Sequence, residues 1–330
     1  MLTKTLDTLL KQSSKGFVNT EFSSAESQRT LGAFSSCKMN FMHYLIVKGW
    51  LMHCMTSNQN ISIPYMLYGT AWKKDRTADL VALALECGFR GIDTAAQPKH
   101  YNEALVGEGC ERFYQKGGRR EDLFIQTKFT PPNGQDPFNI PYDSSASLEE
   151  QIITSCELSK ENLHTRYLDS LLLHSPLFPY ANLHKAWHVL ESLHDEGEVR
   201  QIGISNCYEL SLLKKLYEDA RIKPSVVQNR FYADVHYDHT LRQWAQEKGI
   251  IYQSFWTLSA NPHILHSSVI QDMVTLYGKS AEQIFYRYVM HKGIIPLNGT
   301  TSADHMKEDL SIFTFALKSD EIRRIDALLI

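Results

Sequence analysis

Residues 167–206 read YLDSLLLHSPLFPYANLHKAWHVLESLHDEGEVRQIGISN, and this stretch decides the fold. Tyr167–His174 is a short apolar run that closes on a polar residue, the pattern of a strand buried on both faces. Ala181–His194 reads as an amphipathic helix with Gly197 behind it as a stop. Gln201–Asn206 is a second short apolar run, again with polar residues at its end. A strand, a helix and a strand within forty residues form a βαβ unit, whose strands must lie parallel.

The same rhythm extends in both directions. Strands are predicted at Tyr65–Ala71, Arg90–Ala95, Leu123–Phe129, Ser225–Phe231, Ile250–Trp256 and Ile294–Leu297. Helices are predicted at Thr77–Cys87 (closed by Gly88), Asn102–Gln115, Tyr208–Asp219, His239–Lys248, Ser267–Tyr277, Ala281–His291, Asp304–Phe313 and Asp320–Leu329. Another opens at Ser147-Leu-Glu-Glu150, where Ser and a Glu three residues on form a capping box, and runs towards His164. Eight strands, each followed by helix, over about 270 residues are the size and rhythm of a closed (β/α)8 TIM barrel. An open doubly wound sheet would announce its dinucleotide with GxGxxG directly after a strand. The nearest match, Gly107-Glu-Gly109, falls inside a predicted helix and lacks the third glycine.

Residues 1–60 are rich in Ser, Thr, Lys and Met, and no period persists in them. They are expected to be an extension, disordered or loosely packed, in front of a barrel domain over 61–330. Asp7, Glu21 and Glu26 argue against a transit peptide. Met39–Met55 is interrupted by Lys48 and carries His43 and His53, so no membrane span is expected. With 330 residues, a formal charge of -3 and mixed signs, the chain offers no basic patch for nucleic acid. Its six cysteines form no CxxC pair, the usage of a reduced cytoplasmic protein. A monomer or weak homo-oligomer is expected.

Polar residues fall at the strand ends: Asp93, Lys128, His174, Ser205, Asn206 and Gln228. In a β/α barrel every such end opens on one face, where the chemistry of these folds is placed. A single strand-end His or Asp is more often a packed or capping residue. Six in succession are harder to attribute to packing, because each buried polar group costs about 1–3 kcal/mol if unpaired. With no His-x-His and no carboxylate cluster, no metal is expected. A strand-end Lys could also form a Schiff base.

The segments Gly69-Thr-Ala-Trp72, Gly88-Phe-Arg-Gly-Ile-Asp-Thr-Ala95, Tyr101-Asn-Glu103, Gln126-Thr-Lys128, Asp169-Ser-Leu-Leu-Leu-His174, Gly203-Ile-Ser-Asn206 and Val227-Gln228 decide between these readings. Over nearly all of 61–330 their order and spacing resemble the aldo-keto reductase family. The resemblance implies reduction of an aldehyde or ketone by a nicotinamide cofactor, with a catalytic set of Asp93, Lys128, His174 and a tyrosine. The tyrosine donates the proton, Lys128 favours the phenolate left behind, Asp93 holds Lys128, and His174 orients the carbonyl.

The chain departs from the family's DxxxxYxNE spacing by two extra residues before Asn102-Glu103. Counting back from that pair places His100 in the tyrosine slot, whereas residue type selects Tyr101. Tyr101 is preferred, since only a phenol uses the Asp–Lys pair in this way. The resemblance further assigns Gly69, Thr70, Ser205, Asn206, Gln228, Phe255, Leu258, Asn298, His305 and Asp309 to the cofactor, and Trp72, His100 and Trp256 to the substrate pocket. NADP(H) is the family's default cofactor. Leu297 and His305 stand where NADP-using members carry Lys and Arg, so NAD(H) or dual use is the alternative. A cofactor-binding regulatory or scaffold subunit with little catalysis is the second functional reading. The loops at 130–146 and 257–266 are expected to set the substrate.

Overall fold

The computed structural model describes residues 54–329. An antiparallel hairpin of β1 (Cys54–Thr56) and β2 (Ser62–Pro64) precedes eight strands that close into a parallel barrel in chain order. These are β3 (Leu67–Gly69), β4 (Gly91–Asp93), β5 (Phe124–Phe129), β6 (Ser170–Leu173), β7 (Ile202–Ser205), β8 (Val226–Arg230), β9 (Ile251–Phe255) and β10 (Ile294–Asn298), with β10 pairing back onto β3. Each falls within the predicted run except β10, which reaches one residue further. The helices are α1 (Thr77–Cys87), α2 (Glu103–Gln115), α3 (Leu148–Asn162), α4 (Tyr180–Asp195), α5 (Leu210–Asp219), α6 (His239–Glu247), α7 (Pro262–Leu265), α8 (Ser268–Tyr277), α9 (Ala281–His291), α10 (Ala303–Leu310) and α11 (Ser319–Asp326).

Local sequence accounts for the helix ends. Ser147 and Glu150 form the expected capping box at α3, and Ser280 with Gln283 forms another at α9. Gly88 ends α1 at φ 116°, a conformation open to glycine. Among the described residues no helix is long and apolar enough to cross a membrane.

The hairpin adds a detail that the sequence did not indicate. Of the extension expected over 1–60, residues 1–53 lie outside the described residues, but 54–60 form a strand and turn seated on the barrel. Asn58 donates to the Pro224 carbonyl at 3.0 Å, Gln59 donates to the Lys223 carbonyl at 2.9 Å, and the Ile202 amide donates to Gln59 at 3.3 Å. These contacts satisfy backbone groups at the strand starts. The hairpin therefore covers the end of the barrel opposite the strand termini.

The barrel interior is layered. Its lower layer is apolar: Ile63 from the hairpin packs with Leu67, Phe124, Leu172, Val226, Ile251 and Ile295. A Cβ on Gly91 would lie 2.3 Å from Leu67 Cδ2, and one on Gly203 would lie 2.7 Å from Leu172 Cδ2, so both glycines leave room for leucines. Two residues further along the same strands the interior turns polar, as the alternation of a strand requires if the layers are to differ.

Candidate active site

Asp93, at the end of β4, sits at the centre of that polar layer. One of its carboxylate oxygens accepts from Lys128 Nζ at 2.7 Å, and the other accepts from Gln126 Nε2 at 2.8 Å and Gln228 Nε2 at 2.9 Å. Gln126 and Gln228 also donate to Gln253 Oε1 at 2.7 and 2.9 Å. All five side chains are buried. These donors each meet an acceptor, which is the condition for keeping such groups inside a barrel. Lys128 adds a bond to the Thr94 carbonyl at 2.7 Å. Burial pulls the Lys128 pKa down, and the Asp93 carboxylate opposes that shift.

Above this layer the Tyr101 ring lies 5.5 Å from Lys128 Nζ and 6.0 Å from the His174 ring. Burial, and then the Asp93 charge, push the Tyr101 pKa above its ordinary value, so the phenol is protonated at neutral pH. Burial, Lys128 and His100 push His174 down to about 3, so its imidazole is neutral. Its Nδ1 lies 2.6 Å from Thr130 Oγ1.

The two-residue insertion before Asn102 is taken up locally. His100 and Tyr101 amides both donate to the Gln97 carbonyl at 3.0 Å, making one helical turn, while Gln97 Nε2 donates to Gly134 and Gln135 Nε2 donates to Ala96. Asn102 then caps α2 by accepting from the Leu105 amide. The His100 ring packs at a tilt against Trp72, centroids 3.8 Å apart, and its buried Nδ1 has no partner among the described residues.

A groove of about 900 Å³ opens over these residues. Asp93, Tyr101, His174, Trp72, His100, Gly69, Ser205, Asn206, Gln228, Phe255, Trp256, Leu258, Asn298, His305 and Asp309 all border it, which brings every predicted site residue to one cleft except two. Lys128 lies beneath the floor, reached through Asp93 and Tyr101. Thr70 is fully buried, donating its hydroxyl to the Asp93 carbonyl at 3.0 Å, and so braces the strand end rather than bordering the groove.

The groove suits a nicotinamide dinucleotide in size, being within the range of cofactor sites. It offers an aromatic face at Phe255, mixed donors and acceptors at Ser205, Asn206 and Gln228, and a polar far end at Thr300 and His305. Several of those groups are already engaged. Asn206 donates to the His174 carbonyl at 2.8 Å, and Asn298 is held between the Asp309 carboxylate and the Thr300 amide. Burial pushes Asp309 up to about 6.

Among the residues in or beside the groove that the sequence left unassigned are Thr130, Arg230 and Gln97. Thr130 and Arg230 stand two positions after Lys128 and Gln228, so the two-residue period of a strand would have carried them to the same interior face. Gln97 carries no such signal, because it belongs to the inserted turn.

Comparison with known proteins gives the same architecture and a family. The Aldo/keto reductase family model matches residues 65–260 and 260–330. The chain is 32% identical to the Uncharacterized oxidoreductase YtbE of Bacillus subtilis over 83% of this chain and 91% of that protein. It is 30% identical to Glyoxal reductase of Bacillus subtilis over 77% of this chain and 84% of that one. The crystal structure of a Bombyx mori aldo-keto reductase in complex with NADP superposes with a TM-score of 0.71, at 23% identity, over 83% of this chain and 92% of that chain. The chain belongs to the aldo/keto reductase family and is an NAD(P)-dependent oxidoreductase of carbonyl chemistry.

Proposed function

We propose that this enzyme reduces aldehydes or ketones to alcohols, with Tyr101 as proton donor, Lys128 and Asp93 as its charge relay, and His174 as the group that orients the carbonyl. The observation that carries this reading is the packing of one phenol within 5.5 Å of a buried ammonium and 6.0 Å of a neutral imidazole on the floor of one groove. Phe255 would offer its face to a nicotinamide, which when bound would supply the hydride. The protein's task is alignment and the proton.

Tyr101 loses its proton to the carbonyl oxygen as that oxygen gains negative charge. An isolated buried phenolate is costly, and the Lys128 ammonium beneath the ring lowers that cost. Asp93 keeps Lys128 charged against its burial. His174, neutral at working pH, donates a hydrogen bond through one ring nitrogen if the other accepts. A Thr130 hydroxyl that donates to Nδ1, 2.6 Å away, matches the tautomer that leaves Nε2–H for the substrate. His100 packs against Trp72 at the rim and lines the substrate entrance with Trp256.

NADP(H) is the proposed cofactor, with NAD(H) accepted. The groove end near α10 is bordered by His305, Glu308 and Asp309, with no Arg or Lys from that helix. A neutral imidazole holds a 2′-phosphate less firmly than a guanidinium does. Glyoxal reductase among the relatives makes small dicarbonyls a rational first substrate panel.

The test is consumption of NADPH and of NADH with a panel of aldehydes, repeated on Tyr101→Phe. Turnover by the wild type and a loss of about 10²-fold or more in the variant are expected. Full activity in Tyr101→Phe with loss in His100→Phe would move the donor role to His100. Tight cofactor binding without turnover of any carbonyl would favour the regulatory reading instead.

A further inference from the structure

Arg230 ends β8 and borders the groove, two residues beyond Gln228 and so on the same interior face. Its guanidinium carbon stands 4.1 Å from the Trp256 ring centroid and 5.1 Å from that of Tyr232. Its Nε is buried without a hydrogen-bond partner, and among the described residues no carboxylate lies within ion-pair distance of it. Lys73, another cation bordering the groove, is by contrast engaged by the Gly299 carbonyl.

A guanidinium has two kinds of surface. Its faces stack on aromatic rings, and its edge carries five in-plane N–H donors in a fork that matches two oxygens of a carboxylate or phosphate. Here the rings take up faces and the edge is left with a buried, unpaired donor. Burying such a donor is unfavourable unless something completes it. The ring on which Arg230 rests is itself held at a cost: Trp256 has φ 57°, in the left-handed region that a bulky residue rarely occupies. Asn206 and Trp72, also bordering the groove, share that conformation at φ 52° and 64°. Strain of this kind gathers where a surrounding site over-determines the backbone.

We propose that Arg230 is an oxyanion-binding residue of the groove, taking two oxygens of a bound ligand on its guanidinium edge. The inference rests on the reductase reading, since it takes this groove as the ligand site. Two sources carry the required chemistry: the diphosphate of the dinucleotide, or a carboxylate on the carbonyl substrate.

The experiment uses the full-length wild type, Arg230→Met and Arg230→Lys, with unfolding midpoints to confirm that each is folded. NADPH affinity is measured by fluorescence titration. At saturating NADPH, kcat/KM is compared for succinic semialdehyde, which carries a carboxylate, and butanal, which does not. If the oxyanion is the diphosphate, Arg230→Met raises the Kd for NADPH by about tenfold. If it belongs to the substrate, the preference for succinic semialdehyde over butanal falls by about tenfold. Arg230→Lys recovers only part of either effect, because it keeps the charge and loses the fork. A folded Arg230→Met with both the Kd and the preference within about twofold of wild type overturns the proposal. A wild type that neither binds a nicotinamide dinucleotide nor reduces either aldehyde overturns the reductase reading itself.

Discussion

The two ends of the barrel interior are built from the same eight strands and obey opposite rules. Below, Leu67, Phe124, Leu172, Val226, Ile251 and Ile295 meet under the Ile63 plug with only apolar contact. Above, Gln126, Gln228, Gln253, Asp93 and Lys128 meet in one closed set of hydrogen bonds. The lower layer is stabilised by removal of carbon surface from water, which requires shape and little else. The upper layer gains nothing by burial and depends on every partner being present. Removing bulk below should therefore cost stability alone, whereas breaking a partnership above should cost activity as well, so substitutions at the two ends should fail in different ways.

The largest effect is expected at the top. Lys128→Met leaves the Asp93 carboxylate buried without its cation, and should lower turnover by about 10³-fold and stability by about 3–5 kcal/mol. Adding Asp93→Asn removes the stranded charge. The double variant should regain most of the stability while staying inactive, measured by denaturant unfolding beside steady-state assays. Parallel recovery of both properties would show that the pair serves packing alone.

At the bottom, Leu172→Ala opens a cavity in a layer that cannot collapse across a closed barrel. It should cost about 3 kcal/mol of stability, with kcat and KM within about twofold of wild type at a temperature where the variant is folded. A large fall in kcat there would mean that the two layers are mechanically coupled.

Much of this division is legible in the sequence. Hydrophobic periodicity gave α1 at Thr77–Cys87 and α9 at Ala281–His291 with their observed ends, because caps and glycines mark those ends chemically. The strand-end residues pointed to the groove because a closed barrel leaves them nowhere else to go. The hairpin was missed because β1 has three residues and no alternation long enough to read, and its support comes from Asn58 and Gln59 reaching across more than 140 positions. The turn at Ala233–Asp238, with His236, Tyr237 and Asp238 at positive φ, was equally silent, since none of these is glycine. Thr130 and Arg230 were missed for a different reason: each stands one strand period beyond a residue read as the strand's polar end, on the same interior face.

Thr130 supplies a smaller test at the upper end. Thr130→Val keeps the shape and removes the hydroxyl beside His174 Nδ1. Without it the neutral imidazole is free to place its proton on Nδ1, and kcat/KM should fall by about tenfold, or ~1.4 kcal/mol. Thr130→Ser should restore most of the loss, which a purely steric role would not allow.

The smallest expected effect lies outside the barrel wall, where α2 meets β5. Glu103 is buried behind Lys128, and its carboxylate accepts from the Thr127 and Ser159 hydroxyls. Burial nevertheless dominates and raises its pKa to about 7, against 4.5 for the free group. The folded state thus binds more protons than the unfolded state between those values, and stability falls as pH rises through that window. The contribution is fully present below pH ~4.5 and is lost as pH climbs past ~7. Between pH 6 and 8 the wild type should lose about 1 kcal/mol from this group. Glu103→Gln keeps a polar group of the same shape for the two hydroxyls and cannot ionise, so that portion of the pH dependence should vanish in urea unfolding at the two pH values. An unchanged slope would place the titration elsewhere and leave Glu103 ionised in the fold, drawing on Lys128 as Asp93 does; the amine under Tyr101 would then answer to two carboxylates, one on each side of the barrel wall.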